Sequence, residues 1–334
     1  MALQAFPSIS ESVRLKDGTT YAFVHLPPAD SQKPTFLLLH GFPSSSWDWR
    51  HQIAQLKKAG YGVVAPDLLG YGDTDKPEEL EAYSMKRMSG HVAEILQKKR
   101  LQKVIGVAHD WGCGLLARLA TYHPECFLAT VFVSVGYIEP GLVHDIDAFN
   151  ALTEQAFGYP TFGYWKWFNT EDAAEVFDRN PQAAFSLIYP TDPEIWKTDF
   201  CPVGNAAAWI ASGKTTPLPD WVTEEENAVR NEIMGQSGYA APLRWYKSAM
   251  RGINHADEAD VPHEKKFLTL PNMLVGSTKD YATRADMQEQ RQREWTKKTK
   301  VEVLDCGHWI QLEKREELYH LLTNFADKVA EPGK

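Results

Sequence analysis

The sequence predicts an α/β fold: a mostly parallel twisted sheet with helices on both faces and a helical segment inserted between two halves of the sheet. Three observations carry this. Short apolar runs alternate with helical patterns along the chain up to Val135, the signature of parallel strands covered on both sides. One run, Val104-Ile105-Gly106-Val107, passes through Ala108-His109-Asp110-Trp111-Gly112 straight into the helical pattern Gly114-Leu115-Leu116-Ala117-Arg118-Leu119-Ala120. From Glu139 to Lys265 strand-like runs vanish, and aromatic residues gather in short helical stretches broken by prolines.

The elements follow in order. A hairpin is expected at residues 12–15 and 21–25, turned at Lys16-Asp17-Gly18. Thr35-Phe36-Leu37-Leu38-Leu39 runs into His40-Gly41-Phe42-Pro43, and Gly62-Val63-Val64-Ala65-Pro66 into Asp67-Leu68-Leu69-Gly70-Tyr71-Gly72. The run ending at Asp110 comes third and residues 129–135 fourth. After the aromatic segment, which holds six of the eleven tryptophans, strand–turn units return at 274–278 and 301–304, and a closing helix is expected over 314–329. Residues 1–138 and 266–334 are thus expected to form the core. Residues 139–265 are expected to form a helical lid over the carboxyl ends of the strands, where open α/β sheets bind ligands. There are no repeats and no low-complexity stretch.

At 334 residues the chain has room for one large α/β domain with an insertion, or for two domains. Hydrophobic residues at 43% and charged ones at 24% give ample core. A net charge of −9 argues against nucleic acid or an anionic membrane as partner. The segment Met1-Ala2-Leu3-Gln4-Ala5-Phe6-Pro7 lacks the basic and apolar regions of a signal peptide, and no apolar run approaches the ~18 residues of a membrane span. Cys113, Cys126, Cys201 and Cys306 show neither metal-ligand spacing nor a disulfide framework. A soluble, cytoplasmic protein is expected.

Strand, tight turn, helix is the geometry that presents a nucleophile in a strained backbone between small neighbours. Serine usually stands there; here it is Asp110. A carboxylate nucleophile suits attack at saturated carbon and leaves an ester for water to cleave. This points to opening epoxides or displacing halides and away from esterase work. Taken alone, Asp110 also reads as a helix N-cap. Gly112-Cys113-Gly114-Leu115-Leu116-Ala117 matches a dinucleotide-binding pattern, but bulky Asp110 and Trp111 occupy the turn its first glycine should make. Cys113, on the first turn of the helix, reads as packing rather than as a thiol nucleophile.

An alkyl ester needs a base to activate water, and the base needs an acid to orient it. His308 follows the last strand in Asp305-Cys306-Gly307-His308-Trp309, and Asp280 follows the strand before it. The chain order is nucleophile, acid, histidine. Glu139, just after the fourth strand, is a weaker rival for the acid. Ester hydrolysis creates an oxyanion, for which the backbone N–H groups of Trp111 and Phe42 are the expected donors. A cis Phe42–Pro43 bond would aim the Phe42 amide at Asp110. His40, fixed in the same loop, reads as structural.

With these residues in view, the chain resembles the epoxide hydrolases of the α/β-hydrolase superfamily, the soluble type without an extra phosphatase domain. The likeness runs from about Leu15 to Val329. It rests on His40-Gly41-Phe42-Pro43, Gly70-Tyr71-Gly72-Asp73-Thr74-Asp75-Lys76-Pro77, His109-Asp110-Trp111-Gly112 and Cys306-Gly307-His308-Trp309. Several of these motifs occur in haloalkane dehalogenases too. The resemblance implies two lid tyrosines that hold the epoxide oxygen. Phe162-Gly163-Tyr164-Trp165-Lys166-Trp167-Phe168 is similar to the segment bearing the first, Tyr164, although Trp167 stands where some relatives carry another tyrosine. Pro242-Leu243-Arg244-Trp245-Tyr246-Lys247 is similar to that bearing the second, Tyr246. Tyr159 and Tyr189 read as packing. The implied reaction converts an epoxide and water to a vicinal diol without metal or organic cofactor. Trp111, Trp165 and Trp245 are expected to line an apolar pocket for lipophilic aryl or alkyl epoxides. A haloalkane dehalogenase would use the same nucleophile with tryptophan or asparagine N–H donors for halide. A hormone receptor on this fold would ordinarily keep serine at the turn.

Overall fold

The computed structural model describes residues 2–330. Eight strands form one sheet: β1 (Ser10–Arg14), β2 (Thr20–Leu26), β3 (Thr35–Leu39), β4 (Gly62–Pro66), β5 (Val104–His109), β6 (Phe127–Val133), β7 (Asn272–Ser277) and β8 (Thr299–Leu304). Their order is β1-β2-β4-β3-β5-β6-β7-β8. The hairpin pairs antiparallel within itself and onto β4, and every other pairing is parallel. The central strands β3, β4 and β5 are buried along their whole length. Side chains alternate across such a sheet, so Leu37 and Leu39 enter one core cluster while Phe36 and Leu38 enter the other. Val104 and Ala108 of β5 divide in the same way from Ile105 and Val107.

The predicted strands all form; Thr35–Leu39 and Gly62–Pro66 keep their expected bounds and the others shift at one or both ends. β6 starts earlier than expected, and it stops at Val133 because Ser134 takes a positive φ of 66° that an extended strand cannot continue. The closing helix spans Arg315–Ala330 and packs on the face opposite the aromatic insert, in the cluster that holds Phe36 and Leu38.

Between β6 and β7 the chain makes only helices, from Ile146–Phe157 to a last turn at His263–Lys266. Their aromatic side chains join the cluster that contains Leu37, Leu39 and Trp111, so insert and core share one apolar interior. A buried ion pair fastens both ends of the insert. Arg118, on the helix that follows Asp110, donates from Nε and Nη2 to the Glu258 carboxylate at 2.7 and 2.9 Å. Arg118 also donates to the Ile138 carbonyl at 2.6 Å, and Glu258 accepts from the Gly141 amide at 2.5 Å. Breaking such a pair strands the remaining charge away from water. Glu258→Ala is therefore expected to cost about 3–5 kcal/mol of stability, read from urea unfolding, whereas the apolar double change Arg118→Met/Glu258→Leu should cost much less.

Candidate active site

Asp110 is the one residue between β5 and the helix Trp111–Tyr122, with φ 53° and ψ −125°, a conformation L-residues seldom adopt. Its side chain does not cap that helix. Instead Oδ1 accepts the Phe42 N–H at 2.8 Å, and the Phe42–Pro43 bond is cis as expected. The turn tolerates little bulk: a Cβ at Gly41 would collide with the Asp110 carboxyl, and one at Gly112 with the carbonyls of Leu39 and His40. His40 is wholly buried, with Nδ1 against the Gly41 carbonyl and Nε2 accepting the Leu68 N–H at 2.9 Å, which makes it a brace of the loop.

His308 stands after β8 and Asp280 after β7, and the sheet brings both to Asp110. His308 Nδ1 lies 2.6 Å from Asp280 Oδ2, and Nε2 lies 3.8 Å from Asp110 Oδ2. With Nδ1 donating to Asp280, Nε2 is left to accept a proton. Asp280 is itself fixed by the Ala282 and Thr283 amides at 3.1 and 2.8 Å and by the Thr283 hydroxyl at 2.5 Å. The His308 carbonyl accepts from Ser134 Oγ at 2.6 Å and faces His109 Nε2 at 3.0 Å.

Across from the carboxylate stand Tyr164, on the helix Gly163–Phe168, and Tyr246, on the helix Ala240–Met250. Their ring centroids are 6.2 Å apart, and both rings border the cavities that open at Asp110. Trp111 and Trp165 lie edge-on to Tyr246 at 4.9 Å each. Trp165 Nε1 is buried without a hydrogen-bond partner among the described residues.

Burial pushes the Asp110 carboxyl above its ordinary range, opposed by the charge of His308 and by the Phe42 and Trp111 amides. Burial disfavours the His308 imidazolium, but the charge and hydrogen bond of Asp280, with Asp110 adding, outweigh it and raise its pKa above 6.5. For Asp280 burial also works upward, yet the His308 charge and the hydrogen bonds from His308 and Thr283 hold it below its usual value. Burial, reinforced by the Asp110 charge, raises both tyrosine phenols well above 10, so they remain hydrogen-bond donors at neutral pH. The arrangement thus holds an anionic oxygen with backbone donors on one side, a base set back from it, and two proton donors facing it.

One sequence expectation needs correction. Trp245 does not border either cavity at Asp110: it is 1% exposed, and its Nε1 donates to the Leu69 carbonyl at 2.9 Å. One residue before Tyr246 on the same helix, it points into the core when Tyr246 points at Asp110. Glu139 is engaged by Arg291 Nη2 at 2.6 Å, so it does not stand in for Asp280. Cys113 is buried, its Sγ facing the Ala108 carbonyl at 3.2 Å, and burial pushes its thiol well above the usual range. Tyr189, read as packing, also holds the loop: its hydroxyl donates to the Pro43 carbonyl at 2.8 Å while its ring stacks on Trp309 at 4.0 Å. Sequence reasoning missed Thr283, Ser134, Trp196 and Phe200, whose importance comes from neighbours far along the chain.

A strained carboxylate at the end of a central strand, with an acid and a histidine after the last two strands, defines a hydrolase-type site on an α/β sheet. The chain belongs to the alpha/beta hydrolase family, which residues 36–321 match. It is 27% identical over 313 residues to the bifunctional epoxide hydrolase 2 of Rattus norvegicus, covering 93% of this chain and 54% of that protein. The chain therefore spans about half the length of that relative. Epoxide hydrolase A of Mycobacterium tuberculosis is 28% identical over 299 residues, covering 87% of this chain and 90% of that one. A solved epoxide hydrolase from an endophytic Streptomyces superposes with a TM-score of 0.81 at 27% identity, over 96% of both chains.

Proposed function

We propose that the protein hydrolyses epoxides to vicinal diols through a covalent ester at Asp110. The observation that carries this reading is the pair of buried tyrosines facing a carboxylate that a backbone amide already holds. In the first step an Asp110 oxygen bonds to a ring carbon as the carbon–oxygen bond of the epoxide breaks. Tyr164 and Tyr246 donate to that oxygen, which takes a proton from one of them and stays on the adjacent carbon as a hydroxyl. In the second step His308 takes a proton from water, whose oxygen bonds to the ester carbonyl carbon. The Phe42 and Trp111 amides hold the resulting oxyanion. Its collapse breaks the ester bond, the released diol oxygen takes the proton from His308, and the proton of the new Asp110 carboxyl returns to the tyrosine, so that every group regains its starting state. Residues 139–265 act as the lid that carries both tyrosines and shuts the centre from bulk water. The substrate is a small lipophilic epoxide, received between Trp111 and Trp165.

Forming the ester removes the Asp110 charge, one of the influences that raise the His308 pKa, and leaves the charge and hydrogen bond of Asp280. Only neutral His308 can take the proton. Ester decay is therefore expected to be slow at acid pH and to rise with pH through the midpoint at which His308 loses its proton. Asp280→Asn removes the main upward influence and should shift that midpoint down while lowering the plateau rate, as quenched single turnovers would read.

One observation favours a second reading. Trp111 and Trp165 lie 5.2 Å apart beside Asp110, and the unpartnered Trp165 N–H is a donor of the kind a leaving halide requires. A panel of epoxides and haloalkanes separates the two. Diol from epoxides with no halide release supports the first, and halide release with no diol supports a dehalogenase.

A further inference from the structure

Asp110, Tyr164 and Tyr246 border two cavities at once, and these are very unequal. One, walled by Trp111, Ile138, Leu142, Phe149, Phe162 and Trp165, has a volume of about 140 Å³. The other, between His308, Ile188, Trp196, Phe200 and Trp309, has about 20 Å³. One water needs roughly 10–15 Å³ on this measure. The small chamber therefore admits a water or the bare methylene of a three-membered ring, but no phenyl ring or alkyl chain.

Its walls are set firmly. Ile188, Trp196, Phe200 and Trp309 are 6% exposed or less. Trp196 Nε1 donates to the Leu187 carbonyl at 2.8 Å, and Trp309 Nε1 to the Ile188 carbonyl at 2.7 Å. Phe200 stacks on Tyr164 with ring centroids 4.2 Å apart. Trp196 and Phe200 bracket a π-helical turn, Trp196–Phe200, a geometry frequent at functional sites. The Trp196 ring lies 5.2 Å from that of His308, so the chamber is also where the base meets its water.

We infer that the substrates are epoxides substituted at one ring carbon only. The substituents occupy the larger cavity, while the chamber at His308 takes the unsubstituted methylene on binding and the hydrolytic water in the ester. This rests on the epoxide reading above and narrows it. A substituent on the second carbon meets Phe200 and Ile188 on binding, and in the ester it takes the place of the water. Both steps suffer.

The test compares phenyl oxirane with its analogue bearing a second phenyl group on the other ring carbon, by kcat/KM for diol formation. The wild-type protein is expected to favour the first by at least about 100-fold, since even one misplaced methylene is worth about 10–200-fold. Ile188→Ala and Phe200→Leu each enlarge the chamber and should reduce that preference by about tenfold or more. Ile188→Ala keeps the ring stacked on Tyr164, which covers the case in which Phe200→Leu disturbs that tyrosine. Comparable kcat/KM for both compounds in the wild-type protein, or an unchanged preference in both folded variants, would overturn this inference alone. No diol from either compound would overturn the epoxide reading, and this inference with it.

Discussion

In the His308→Gln protein, added epoxide is expected to give a stable adduct on Asp110 and almost no diol. The two steps make different demands. Asp110 is a carboxylate that needs no base to become nucleophilic, whereas water must lose a proton as it attacks the ester. Steady-state turnover should fall by about 10⁴-fold or more, the scale seen when a base in such a constellation is removed. Intact-mass measurement should show one adduct equal to the substrate mass, on the peptide containing Asp110. His308 also opposes the upward push of burial on Asp110, so its loss lets that carboxyl rise further. Adduct formation in the variant should consequently weaken at acid pH and recover as the pH rises. An Asp110→Ala protein should form no adduct at any pH.

The second large effect concerns the tyrosines. Removing one donor from a developing oxyanion costs about 10²-fold or more in rate. Tyr246→Phe alone should slow alkylation by about that factor, and Tyr164→Phe/Tyr246→Phe should nearly abolish turnover, since the two share one acceptor and no donor is then left. Both rings stay, and with them the packing against Trp111, Trp165 and Phe200. The melting temperature should therefore change little. Retained epoxide turnover in a folded double variant would remove the tyrosines from the chemistry.

Much of this fold was legible in the sequence because its strands announce themselves locally. Thr35–Leu39 and Gly62–Pro66 are apolar runs buried on both faces, and the structure matches them residue for residue. The turn at Asp110 was legible because a strand pattern meets a helix pattern with nothing between them. Asp280 and His308 were legible from their position just after strands, since strand ends converge in a parallel sheet.

What was not legible depends on separation. Arg118 and Glu258 lie 140 positions apart, and nothing near either residue marks it as buried. Glu139 follows a strand as Asp280 does, and they are told apart only in the fold, which sets Asp280 against His308 and Glu139 against Arg291. Trp245 and Tyr246 are adjacent aromatics on one helix. Which faces Asp110 depends on the rotation of that helix against Leu69, which sequence pattern alone leaves open. The unequal cavities arise the same way, from a π-helical turn that brings Trp196 and Phe200 against His308 and Tyr164.

The covalent ester at Asp110 is tested most directly by a single turnover in heavy-oxygen water, with the protein in excess over epoxide. If water attacks the ester carbonyl, the first diol released carries no heavy oxygen, and the Asp110 carboxyl gains one. Diol labelled in that first turnover, with an unlabelled Asp110 peptide, would mean that water opens the epoxide directly and that Asp110 forms no ester.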